Sequence, residues 1–222
     1  MMSHRVARLV CREAFARRFP GTDPLIASLQ IIQATGLQEG GYGAKWKGFP
    51  ESNNWGAVIS GKKPDAQGNC PEGTFPYGDR GPDGKYNTCF QCYESALDGC
   101  LAMLKTMSKT PAEEKALLAG DLDGLSIAMY DAHYYLGTTP SSVDPAERKL
   151  IEVGRRSRWI GDGVKIIAQA LGEPPYALSP GGSGGNNGSP PSSPGGAGGS
   201  GGEALEALAF LGILGIALKS AH

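Results

Sequence analysis

Apolar positions in the first part of the chain fall into two helical stretches. Residues 3 to 19 alternate arginines with Val6, Leu9, Val10, Ala14 and Phe15 at helical spacing, and Pro20-Gly21 ends the pattern. A second stretch starts at Asp23, a capping residue type followed by Pro24 at the first helical position, and runs through Leu25, Ile26, Leu29 and Ile32 to Leu37. Glu39 sits at its end, directly before Gly40 and Gly41. From Gly40 to Tyr93 the helical period is absent. Glycine, proline, asparagine and aromatic residues dominate there, with turn signals such as Pro82-Asp83-Gly84, so short strands or ordered loops are predicted. Helical spacing returns at Ser95, a serine cap with Asp98 three residues on. It resumes after Thr110-Pro111-Ala112-Glu113 and after Asp144-Pro145-Ala146-Glu147, each a helix start with proline at its first position. The predicted class is mainly α, an α+β arrangement in which helices surround one irregular or short-stranded lobe.

The pattern changes again near residue 179. Residues 179–202 hold no apolar side chain larger than alanine or proline, which cannot bury enough surface to offset ordering; they read as a flexible linker. Residues 203–222 read as a hydrophobic terminal helix after a domain of residues 1–178. Its wholly apolar stretch, Ala207 to Leu218, makes about 18 Å of helix against a hydrocarbon core of about 30 Å. Either it associates with a membrane as a short anchor, the reading favoured here, or it docks on a partner or on its own domain.

Composition removes several classes of function. The formal net charge is −1, so nothing suggests a nucleic-acid coat or a polybasic membrane patch. The first residues carry arginines without the apolar run and cleavage site of a secretory signal, so another delivery route is expected. The five cysteines leave at least one thiol unpaired within the chain. Cys89 and Cys92 form a CxxC, but Cys70 and Cys100 do not supply the second CxxC of a zinc ribbon, so neither metal nor cofactor is expected. Cys70 begins the loop that residues 86–89 close, so a Cys70 to Cys89 bridge would clip the lobe. Cys11, on a helix face, is then the candidate free thiol, with Cys92 and Cys100 undetermined.

The most specific signal is an ordered set of segments: Glu39-Gly-Gly-Tyr-Gly43, then Asn53-Asn-Trp-Gly-Ala57, then Phe90-Gln-Cys-Tyr-Glu-Ser95 opening the next helix. Over roughly residues 22–172 this resembles the lysozyme-like superfamily of peptidoglycan hydrolases, especially the glucosaminidases of bacterial autolysins and flagellar rod proteins. The resemblance implies a lysozyme-like fold acting on peptidoglycan, with Glu39 as catalytic acid.

The chemistry fits that placement. Cleaving a glycosidic bond needs a carboxylic acid that stays protonated near neutral pH, and burial at the negative end of a helix beside aromatics disfavours the charged form. Asn54 and Trp55 are expected to line the cleft, the amide bonding an N-acetyl or hydroxyl group and the indole stacking on a sugar face, unless Trp55 belongs to the core. Tyr134 and Tyr135, on a helix ending at Gly137, resemble cleft tyrosines, with one of the pair expected to face away. Tyr93 is a further cleft candidate, equally suited to packing, and His133 is read as structural. For a second carboxylate the lobe offers Glu51, Asp65, Glu72, Asp79 and Asp83, none standing out. With one glutamate the alternative is a lytic transglycosylase, in which the muramoyl 6-hydroxyl closes an anhydro ring. A second alternative is a non-catalytic wall-binding or virion component, and a third a thiol or zinc protein built on the CxxC. The expected place of action is the cell wall, reached with a phage particle or as a secreted bacterial effector.

Overall fold

The computed structural model describes residues 2–44, 52–77, 84–135 and 139–178, all within a compact unit spanning residues 1–184. Among them are six α-helices and one two-stranded sheet, a mainly α fold. The linker and the terminal helix predicted for 179–202 and 203–222 lie outside the described residues. Among the described residues no helix is long and apolar enough to cross a membrane.

Helix α1 (His4–Arg18) starts where Ser3 accepts a hydrogen bond from the Val6 amide, and it buries Ala7, Arg8, Cys11, Ala14 and Phe15. Helix α2 (Ile26–Gly40) begins later than its sequence suggests. Leu25, not Asp23, occupies the cap in extended conformation, without a side-chain cap bond. Packing replaces the missing cap, because every residue from Ser28 to Gly36 is buried. Strands β1 (Thr74–Pro76) and β2 (Cys89–Gln91) pair antiparallel with Phe75 opposite Phe90. Helices α3 (Ala96–Met107) and α4 (Pro111–Leu118) follow from the predicted caps, Ser95 accepting from the Asp98 amide and Thr110 forming a reciprocal capping box with Glu113. Helix α5 (Leu122–Asp131) is capped by Asp121, and α6 (Pro145–Leu171) by Asp144.

The core is built on α2, which packs against α1 and α6, while α1 also packs on α3. Arg8, only 6 % exposed, crosses from α1 to bond Gln33 of α2 at 2.7 Å and both carboxylate oxygens of Glu173 at 2.8 and 2.9 Å. The lobe has a separate small cluster, Phe75 against Phe90, with ring centres 5.7 Å apart. Cys70 and Cys89 are joined by a disulfide beside it. Cys89 is thereby engaged outside the CxxC. Cys11, read above as the free thiol, is free in the structure, as are Cys92 and Cys100, and its side chain is fully buried in the core.

Lobe and body meet along glycines. A Cβ on Gly36 would lie 2.6 Å from the Trp55 ring, one on Gly40 2.4 Å from the Asn54 carbonyl oxygen, and one on Gly99 1.7 Å from the Asn53 carbonyl oxygen. These three positions admit no side chain, and through them segment 53–55 lies directly on α2 and α3. Gly40 is therefore more than a helix stop.

Candidate active site

Glu39 occupies the last turn of α2. The helix ends as Gly41 turns left-handed at φ 53°, with its amide bonded back to the Gly36 and Leu37 carbonyls. Tyr42 continues in the same region at φ 57°, which is strained for a residue with a side chain. The strain is held by its surroundings. The Tyr42 hydroxyl is 2.8 Å from His4 Nδ1 and accepts from Gln33 Nε2 at 3.3 Å, and its ring lies 5.0 Å from that of Trp55. Burial pushes its phenol well above the usual range.

A cavity of about 460 Å³ opens at Glu39, lined also by Gly56 to Ile59, Thr106, Tyr134, Tyr135 and Arg156. A second cavity of about 320 Å³, lined by Tyr135, Glu152, Arg155, Arg156 and Trp159, shares Tyr135 and Arg156 with the first. The Glu39 side chain is 15 % exposed and its Oε1 lies 2.5 Å from Nη1 of Arg156. Three rings surround that guanidinium, those of Tyr134, Tyr135 and Trp159, at 5.4, 5.2 and 5.4 Å. The surroundings of Glu39 are thus not the purely apolar, acid-protecting ones its sequence context predicts.

Both tyrosines line the cavity, contrary to the expectation that one faces away. The reason is that α5 ends at Asp131, before either of them. His133 turns left-handed at φ 57°, and the Tyr134 and His133 amides reach back to the Met129 and Tyr130 carbonyls in a helix-ending motif normally closed by glycine. Freed from helical spacing, the Tyr134 hydroxyl donates to the Gly56 carbonyl at 3.2 Å and that of Tyr135 to the Ser126 carbonyl at 2.8 Å. Burial pushes each phenol up to about 12, and the Glu39 carboxylate adds to the effect at Tyr134.

Asn54 and Trp55 do not line the cleft. Asn54 is fully buried; its amide nitrogen donates to the Val58 and Gln91 carbonyls at 3.0 and 2.9 Å, and its oxygen accepts from the Val58 amide at 2.8 Å. It fixes the turn that ends at Val58, and within that turn Gly56, Ala57 and Val58 form part of the cavity wall. Trp55 is fully buried in the core against Gly36 and Tyr42. Tyr93 is outside the residues lining either cavity, and its backbone carbonyl accepts from Asn53 Nδ2 at 3.0 Å; its contribution is to fasten the same segment. Of the lobe carboxylates, Asp65 and Glu72 also line neither cavity, while Glu51, Asp79 and Asp83 lie outside the described residues.

Sequence reasoning missed Arg156, Trp159 and Glu152, all on α6. Glu152 is 3 % exposed, accepts from the Thr139 amide at 2.8 Å and pairs with Arg155 at 2.9 Å. Nothing local signals these roles, since charged positions on a long amphipathic helix read as a solvated face. Among the described residues no cluster of three or more histidine, cysteine or acidic side chains could hold a metal ion. What the site can do follows from its contents: one carboxyl able to exchange a proton, a cation beside it able to steady its charged form, and aromatic walls for an uncharged ring. Comparison with protein-family models, curated proteins and solved structures finds no match.

Proposed function

We propose that this protein cleaves the glycan strands of peptidoglycan, with Glu39 as general acid. The observation that carries the reading is Glu39 itself, an acid at a helix end opening on a cavity of about 460 Å³ walled by Tyr134, Tyr135 and the strained segment that follows Trp55. The volume falls within the range of small-molecule sites, and the neutral phenols suit an uncharged sugar ring. In the proposed reaction the Glu39–Arg156 pair opens as the glycan enters, and the released carboxylate takes up a proton from solvent, which it then passes to the departing oxygen. The pair re-forms once that proton has left, and the guanidinium then steadies the carboxylate. The protein would act at the cell wall, brought there by a phage particle or as a secreted effector.

The alternative within this reading is the lytic transglycosylase route. Among the described residues Glu39 is the one carboxylate lining its cavity, and the next, Glu152, lines the neighbouring cavity and is engaged by Arg155 and Thr139. A single acid suffices when the substrate's own hydroxyl is the nucleophile. Digestion of purified sacculi by wild type and Glu39→Gln, with mass spectrometry of the fragments, tests both levels. Glu39→Gln should keep the fold and lose cleavage about 10³-fold or more. Anhydro fragments, lighter by one water, identify the transglycosylase, and hydrated ends the hydrolase. Cleavage by the variant at the wild-type rate would remove Glu39 from the mechanism. Binding of sacculi by wild type without any cleavage would leave the non-catalytic wall-binding component.

A further inference from the structure

Cys11 and Cys100 stand apart from everything used so far. Cys11 lies on the inner face of α1 and Cys100 on that of α3, two helices that pack together. Both are free thiols, fully buried in the main core, and Cys11 lies close enough to Cys100 to influence its titration. Two thiols on the facing sides of packed helices are placed as a bridge between those helices requires. The same chain already carries a disulfide between Cys70 and Cys89. Thiol–disulfide exchange that forms that pair is equally open to Cys11 and Cys100 while the chain is unfolded, and the third free cysteine, Cys92, is the partly exposed one.

We propose that Cys11 and Cys100 are joined as a second disulfide, formed by exchange with a small disulfide such as oxidised glutathione before α1 docks on α3. The Cys11 thiolate attacks the small disulfide and releases one of its thiols. The Cys100 thiolate then attacks the mixed disulfide and releases the second, so that two protein thiols are oxidised and one small disulfide is reduced. The order follows from burial. In the docked core neither sulfur is open to solvent, and burial raises the Cys100 thiol well above its usual range, so the thiolate needed for exchange is scarce. Once formed, the bridge is protected for the same reason. It would close a loop of roughly 90 residues and fix α1, which carries Arg8 and His4, to the body.

The test refolds the full chain in a glutathione buffer made oxidising until the Cys70–Cys89 pair forms, then alkylates free thiols in denaturant without reductant. Digestion with trypsin and a glutamate-specific protease cuts after Glu94 and so separates Cys89 and Cys92 from Cys100. The expected result is a single alkylated thiol, at Cys92, and a peptide containing Cys11 bonded to one containing Cys100. Cys92→Ala should then leave no alkylated thiol. Limiting reductant should open Cys70–Cys89 first, because Cys70 is half-buried and both members of the core pair are fully buried. Three alkylated thiols alongside an intact Cys70–Cys89 bridge, or Cys11 bonded to Cys92, would overturn the proposal.

Discussion

In the helical body, α2 is buried at every position from Ser28 to Gly36, and among the described residues the five other helices all contribute to the core around it. In the lobe, two three-residue strands, one pair of phenylalanines and one disulfide do the same work. The body is an ordinary packed core; the lobe is a small loop-rich unit whose few buried side chains need a covalent staple. Yet the cavity at Glu39 takes its acid from the body and one wall, Gly56 to Ile59, from the lobe. The site therefore depends on how firmly the weaker region is seated on the stronger one, and the seating is done by backbone lying on glycines.

The most severe way to break that relation is Gly99→Ala. Its methyl would meet the Asn53 carbonyl at 1.7 Å, and backbone cannot move aside as a side-chain tip can. A loss of more than about 3 kcal/mol is expected in urea unfolding, at the upper end of overpacking effects, with any peptidoglycan cleavage falling alongside. Wild-type stability in this variant would show that the seam is looser than described. Opening the lobe alone comes next. Cys70→Ser with Cys89→Ser removes a constraint worth about 3 kcal/mol in chain-entropy terms for a loop of this size. Hydrogen exchange should speed up at Ser60 and Gln91, whose amides bond across the lobe, and stay slow through α2. Equal acceleration in α2 would show that the two regions unfold as one.

The body has its own test in Arg8→Ala, which leaves Gln33 and Glu173 without their shared partner. Breaking a buried pair commonly costs about 3–5 kcal/mol, and the 26 % exposure of the Glu173 side chain lowers the expectation to about 2 kcal/mol. The loss should appear in global melting without faster exchange confined to the lobe. The smallest effect is acid loosening of the lobe turn at Asp65. Hydrogen bonds from Asn69 above all, then from Gln67 and Gly68, hold this carboxyl below the usual aspartate range. Because the folded-state value is lowered, the stabilisation is in force above the ordinary aspartate value and disappears as pH falls through the lowered one. NMR titration should show the Asn69 and Gln67 amides shifting in that acidic window; constant shifts throughout would contradict the assignment.

What could be read from the sequence divides along the same line. Helix α1 is legible from its apolar spacing and the Pro20-Gly21 stop, and α3, α4 and α6 from starts at Ser95, Thr110-Pro111 and Asp144-Pro145, signals contained in a few neighbouring residues. The start of α2 is not, since burial rather than a cap fixes it. Glu39, Tyr134 and Tyr135 could be placed near one another from ordered motifs. Arg156 could not, because it reaches Glu39 across 117 residues and no local pattern encodes that meeting. Asn54 and Trp55 stand out as a motif, yet Asn54 supports the wall from behind and Trp55 takes the core position that was its alternative. The spacing of aromatic and amide residues does not say whether they face a cavity or support it from behind. His133 hid the end of α5 by taking a conformation that a glycine would have advertised.

The Arg8–Glu173 contact has a consequence for how the domain could be rebuilt. It clasps the first helix to the residues just beyond the last one, so the two ends of the folded domain lie at one pole. The backbone is nearly a closed circuit, and where it starts and stops matters little to its packing. A short glycine-serine bridge between those ends, with new termini opened at the exposed turn around Gly61 and Lys62, would give a circularly permuted protein with the same core. In that arrangement a fused cargo would hang from the lobe, leaving the first helix enclosed within the chain.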